Sequence, residues 1–238
     1  MVLSLVKKLF SIQPPEYFIP AGVRVYAIGD IHGQAELLKA ALIAIEKDAK
    51  NFKGVRIIQL FLGDYIDRGM HSKEVIELLT KAPPKGHERI CLTGNHEATL
   101  LDFLDMPETI RKWSSFGGFT TLASYGVAIP RTLTGDDLTR LHDSFSKALP
   151  LKHKKFLDSL KLHHEIGDYF FVHAGINPYL SFDEQQEKDL LWIRNDFLDF
   201  KKLHAKYIIH GHTPVEAIGI RKNRTCLLYT SPSPRDRG

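Results

Sequence analysis

The sequence predicts an α/β fold, and three observations carry that prediction. Short β-branched apolar runs alternate with segments of helical periodicity. The first three runs each end in a Gly-Asp or Gly-Asn loop that leads toward a helix. Those loops then collect at the carboxyl ends of the strands, on one edge of a sheet, where proteins of this class gather their chemistry. Composition agrees with one large domain: of 238 residues, 43% are hydrophobic and 25% charged.

The chain opens with Met1–Phe10, an apolar stretch with two lysines in its middle. It is too short and wrongly ordered for a secretory signal, and no run approaches the roughly 20 apolar residues of a membrane span. It reads as a short amphipathic helix resting on the domain or, less favourably, on a membrane surface. Pro14-Pro15 reads as a linker, so residues 1–20 form an N-terminal extension to a domain over 21–224. The first strand is Val23–Ile28, followed by Gly29-Asp30-Ile31-His32-Gly33. The helix after it places Leu37, Leu38, Ala41, Leu42 and Ile45 on one face.

The second strand, Ile57–Leu62, leads into Gly63-Asp64-Tyr65-Ile66-Asp67-Arg68-Gly69, the densest stretch of the chain. Two carboxylates, an arginine and a glycine at each end occupy one loop. The loop alone is equally a polar turn into the next helix, whose N-cap is read as Ser72 and whose buried face is Val75, Ile76 and Leu79. The third strand, Arg89–Leu92, runs into Gly94-Asn95-His96-Glu97. Residues 98–165 read as an inserted helical cap with a capping box at Thr134–Asp137. The strand pattern then returns. Asp168–Val172 leads to His173-Ala174-Gly175, and Lys206–Ile209 leads to His210-Gly211-His212-Thr213-Pro214. Residues 225–238 are basic and Ser/Pro-rich at their end, so they read as a disordered or non-native tail.

A net charge of +4 favours an anionic substrate slightly but lacks the basic clusters of a nucleic-acid binder, so no nucleic acid is expected. Two cysteines, Cys91 and Cys226, imply no disulfide framework, and a reducing cytoplasm fits best. Cys91 reads as a buried apolar residue.

Five loops end in metal-ligand residue types: Asp30 and His32, Asp64, Asn95, His173, and His212. This mixed oxygen and nitrogen set suits manganese, iron or zinc and is too nitrogen-rich for calcium. A carboxylate in its middle can bridge two ions, as in two-metal hydrolytic sites. Each histidine taken singly is more often a packing or surface residue, which is the reading for His71, His87, His142, His153, His163, His164 and His204. His210 is ambiguous, with its side chain read as facing away from that of His212.

Taken in order, these motifs resemble those of the calcineurin-like metallophosphoesterases. The complete Asp-Arg-Gly ending resembles the phosphoprotein phosphatase branch and the related symmetrical diadenosine tetraphosphatases. The resemblance spans about residues 23–224 and implies a β-sandwich flanked by helices. It places Asp30, His32 and Asp64 on one metal, and Asp64, Asn95, His173 and His212 on the other. Manganese is the first choice, with iron or zinc as alternatives. His96 would protonate the leaving oxygen, Asp67 would favour its imidazolium, and Arg68 would clamp phosphoryl oxygens. Leu190–Arg194 resembles the segment that supplies a second arginine, which nominates Arg194; the alternative is a surface arginine beside a buried tryptophan.

The implied activity is hydrolysis of phosphoserine or phosphothreonine by direct attack of a hydroxide shared by the two metals, on a phosphoprotein or small phosphate ester. The alternative enzyme is a symmetrical diadenosine tetraphosphatase, and the non-enzyme alternative is an inactive binding module. Pro214 stands where phosphodiesterases of the wider superfamily carry a second histidine. The family also continues past this motif with further strands, so the sheet is expected to lack its last ones.

Overall fold

A computed structural model describes residues 17–215 and 219–228. Three parallel strands, β1 (Val23–Ile28), β2 (Arg56–Phe61) and β3 (His87–Cys91), form the first sheet in sequence order. The parallel connections run through α1 (Ala35–Ala49) and α2 (Ser72–Leu79). The second sheet has the order β4-β5-β6-β8-β7, built from His163–Ile166, Tyr169–Val172, Tyr207–His210, Arg224–Cys226 and Gly219–Ile220 respectively. β5, β6 and β8 run parallel, and the flanking strands β4 and β7 run antiparallel to their neighbours.

Alternation along the strands turns the two sheets into a sandwich. Ile58, Leu60 and Leu62 meet Ile90, Leu92, Ile166 and Phe171 between the sheets. The intervening Phe61 points the other way, into a helical layer over the first sheet. Phe170 and Val172 likewise leave Phe171 and enter an outer core with Leu190, Ile193 and Phe197. The order is helices, sheet, sheet, helices, as the resemblance implies.

The helical layer gathers α1, α2, α3 (Asn95–Asp105), α4 (Ile110–Ser114), α5 (Gly118–Ser124), α6 (Gly135–Ala148) and α7 (Leu151–Asp158). Its core is continuous: Leu38 and Ile76 join Phe103, Trp113, Leu141 and Phe145 in one cluster. The segment read as a cap over the site edge is therefore part of the layer that covers the first sheet. It ends at Asp158, and His163–Ile166 already belongs to β4. The capping box is present, with Asp137 accepting from the Thr134 N–H at 2.9 Å.

Several local expectations are corrected. Leu37 is 68% exposed, and α1 instead buries Ala35, Leu38, Ile45 and Ala49. Ser72 is the first residue of α2 and not its cap, because its Oγ accepts from the Asp67 N–H at 3.1 Å. Cys91 is only half-buried. The boundary drawn at 224 falls inside β8: Thr225 and Cys226 pair with β6, and the Leu227 N–H donates to His210 O at 2.8 Å. The apolar Cys226-Leu227-Leu228 belongs with the sheet, although it adjoins the Ser/Pro-rich end in sequence. The Met1–Phe10 helix, the Pro14-Pro15 linker and the tail beyond 228 lie outside the described residues. Among the described residues, no helix is long and apolar enough to cross a membrane.

Candidate metal centre

The ends of β1, β2, β3, β5 and β6 deliver their loops to one edge of the sandwich. Asp64 lies at the centre. Its Oδ2 stands 3.7 Å from His32 Nε2 and 3.7 Å from His96 Nε2, and its Oδ1 stands 3.3 Å from His173 Nε2. Two groups of three potential ligands share it: His32, Asp64 and His96, and Asp64, His173 and His212. Asn95 Oδ1 lies 2.9 Å from both His173 Nε2 and His212 Nδ1. Asp30 Oδ2 stands 4.0 Å from His32 Nε2, and its Oδ1 accepts from the His212 N–H at 3.1 Å. All six nominated ligands therefore converge. His96, read from the sequence as an acid, also falls within ligand range of the first group.

The backbone is shaped for this convergence. His32, Asp64, Asp67, Arg68 and His212 all have positive φ, between 44° and 71°. That left-handed region costs a non-glycine residue of order 1–3 kcal/mol and persists only where surroundings impose it. At Asp64 that hold comes from Glu97. It is fully buried, and its carboxylate accepts from the N–H groups of Asp64 (2.8 Å), Tyr65 (2.8 Å), Ile66 (3.2 Å) and Gly94 (2.9 Å). Position 94 must be glycine, because a Cβ there would run into the Asp64 carboxylate.

The donor chemistry fits a cation. His32 Nδ1 and His173 Nδ1 each lie 2.9 Å from a carbonyl, those of Ile66 and Leu62, so each Nδ1–H donates and each Nε2 carries a lone pair. His173 Nε2 then faces the Asn95 oxygen and the Asp64 carboxylate, acceptors all. Among the described residues, His32 Nε2 and Asp30 Oδ2 are buried without a hydrogen-bond partner. Such a meeting of lone pairs is repulsive unless a positive charge sits among them. Burial holds the imidazoles in their ligating neutral form, pushing His32 down to about 3, His212 to about 4 and His173 well below its ordinary value. Burial also lifts Asp30 to about 6 and, with Asp30 beside it, Asp64 well above the usual carboxylate range. A cation among them would reverse that push on the carboxylates.

Asp67 and His96 form the predicted pair, with Nδ1 and Oδ2 2.6 Å apart. Sequence reasoning missed what holds Asp67: Trp113 Nε1 donates to Oδ2 at 2.7 Å and Thr121 Oγ1 to Oδ1 at 2.5 Å. Both come from the helical layer, more than 40 residues away, and carry no local signal. Glu97 was within reach, because a glutamate three residues into a helix is half of a capping box. Arg68 is exposed beside the site, and Arg194 Nε donates to His212 Nε2 at 3.3 Å. His210 is fully buried against Phe197, with ring centroids 5.0 Å apart.

A two-sheet frame that turns carboxylate, amide and imidazole donors onto one shared aspartate defines a class of metal-assisted phosphoester hydrolases. The sequence profile of the calcineurin-like phosphoesterases matches residues 23–216, and the chain belongs to that family. Among solved structures it is similar to one described as a putative diadenosine tetraphosphatase, with a TM-score of 0.54 and 19% identity over 88% of this chain and 85% of that one. A cold-active protein tyrosine phosphatase aligns with a TM-score of 0.52 and 17% identity over 88% of this chain and 72% of that one. A protein serine/threonine phosphatase from Saccharomyces cerevisiae aligns with a TM-score of 0.50 and 17% identity over 89% and 68%. At these identities the likeness is one of fold.

Proposed function

We propose that the chain is a metal-dependent phosphomonoesterase of the serine/threonine protein phosphatase type. The observation that carries this reading is Asp64, shared between two groups of potential ligands. Asp30, His32 and Asp64 would hold one cation, and Asp64, Asn95, His173 and His212 the other. The O/N mixture favours manganese, with iron or zinc next. When bound, the pair supplies Lewis acidity toward a phosphoryl oxygen and hydroxide near neutral pH. The remaining tasks fall to the chain's own groups. Arg68 and Arg194 orient the phosphoryl oxygens through their forked donors. Asp67 fixes the proton of His96 on Nδ1 and stabilises the imidazolium, which leaves Nε2 to protonate the departing alkoxide.

The second reading, a symmetrical diadenosine tetraphosphatase, is favoured by an aromatic wall at the site. Phe116 lies 5.9 Å from His96, Trp192 lies 6.3 Å from His212, and the two rings are 5.7 Å apart. Lys112 Nζ sits 4.7 Å from the Trp192 ring. Such a wall takes a nucleobase by stacking. The assay compares p-nitrophenyl phosphate, a phosphothreonine peptide and diadenosine tetraphosphate with manganese and with chelator. Faster turnover of the peptide supports the phosphatase, and faster nucleoside diphosphate release supports the second reading. Folded protein with no manganese-dependent turnover of any of the three supports an inactive binding module.

A further inference from the structure

The outer edge of β3 lies in a groove of about 590 Å³ that shares no residue with the metal centre. One wall is the chain leaving α2, through Leu79 and Lys81. The other is α7, through Lys155 and Phe156, with Lys161 just beyond it. β3 ends its sheet, so β2 covers only one of its edges. In a parallel ladder, successive residues turn their backbone groups to opposite sides. The Leu92 N–H donates to Phe61 O at 2.9 Å, which turns residues 88, 90 and 92 toward β2, and Arg89 and Cys91 outward. The outward edge is occupied at both ends, where Pro84 O accepts from the His87 N–H at 2.9 Å and the Lys161 N–H donates to Cys91 O at 3.2 Å. Between them, among the described residues, nothing pairs with the N–H and carbonyl of Arg89 or the N–H of Cys91.

The charges around the groove have one sign to offer. Lys81, Lys155 and Lys161 are exposed, and their ammonium groups enter no hydrogen bond or ion pair among the described residues. The acidic neighbours are already engaged: Glu88 pairs with Arg56, and Glu77 with Lys152 and His153. The Arg89 guanidinium is turned inward, donating to Gln59 and to the carbonyls of Leu78, Leu79 and Lys81.

We propose that this groove docks an extended acidic peptide, which adds as a short strand to β3 and sets its carboxylates against Lys81, Lys155 and Lys161. Main-chain bonds to the free edge supply affinity, and the lysines select the charge. The same lysines repel a second copy of this edge, so the groove rejects self-pairing while accepting a partner of opposite sign. The inference goes beyond the hydrolytic reading and stands apart from it, because its readout is binding.

Fluorescence anisotropy on the full chain tests it with three labelled peptides: one alternating Glu and Val, its Lys/Val counterpart, and the acidic one with a central proline. The acidic peptide alone should bind well, since proline removes a backbone N–H at equal charge. Combined Lys155→Glu and Lys161→Glu should weaken binding by about ten-fold or more, while p-nitrophenyl phosphate turnover stays at the wild-type rate. Lys81→Glu, on the separate α2 side of the groove, should act in the same direction. Hydrogen exchange at the Arg89 and Cys91 amides should slow when the acidic peptide is added. Equal binding of the lysine or proline peptide, unchanged affinity in the charge-reversed variants, or no binding of the acidic peptide would each overturn the proposal.

Discussion

The loops around Asp64 and the sandwich beneath them are built on opposite rules. Between the sheets, Ile58, Leu60, Leu62 and Phe171 alternate with neighbours on the other face, and none of the four has a left-handed backbone. In the loops, five non-glycine residues take left-handed backbone, and buried polar atoms of Asp30 and His32 lack hydrogen-bond partners among the described residues. The first region releases free energy on folding, and the second costs it. The costly conformations persist because strands and a buried glutamate hold them from below. Damage to the loops should therefore remove chemistry with little loss of stability, and damage to the sandwich should do the reverse.

The largest expected effect is at the shared carboxylate. Asp64→Asn should bring manganese-dependent phosphatase activity to background and lower the metal content measured by mass spectrometry, with the melting temperature nearly kept. Retention of full metal content would overturn the bridging role proposed for Asp64. His96→Asn should slow kcat by about two to four decades while metal stays bound, the usual range for a proton-transfer residue. Loss of metal in that variant would instead make His96 a ligand, consistent with its place in the first ligand group.

The sandwich supplies the converse. Phe171→Ala, at a side chain only 3% exposed between the sheets, should cost about 3–5 kcal/mol in urea unfolding. Its kcat at low temperature should stay near wild type, and a large fall there would show that the two regions are not separable. Trp113→Phe tests the seam between them, since it keeps an aromatic ring in the core and removes one hydrogen bond to Asp67. It should lower kcat by about ten-fold, the equivalent of a buried charge-assisted bond, without changing metal content.

The smallest effect lies far from the loops. Lys152, then His153, hold the Glu77 carboxyl down at about 2. A depressed folded-state value means that the contribution is present above the ordinary carboxyl range and fades as pH falls toward 2. The gap in melting temperature between wild type and Glu77→Gln should shrink over that interval. It should be small throughout, because the Glu77 side chain is 38% exposed.

Much of this contrast was legible in the sequence. Strand-loop-helix periodicity and five glycine-flanked loops disclosed the first sheet and the converging residues, because both are written in local spacing. The supports of Asp67 were not legible, since Trp113 and Thr121 reach it from helices whose packing no spacing encodes. Strand order in the second sheet was hidden for a related reason. β8 slots between β6 and β7 by long-range pairing, and its three residues are too short for a periodic signal. The free edge of β3 has no sequence signature, because an unpaired edge depends on what the rest of the chain leaves uncovered.

The four amides gathered by Glu97 have a thermodynamic consequence. One side chain clasps the turn after β2 to the start of α3, so the positions of Asp64 and Asn95 are set jointly and not loop by loop. Changes at those two residues should therefore be non-additive in a double-mutant cycle, even though 31 positions separate them along the chain. The smallest unit that can vary independently at this centre is a clasped pair of turns, and neither turn could be transplanted without the other.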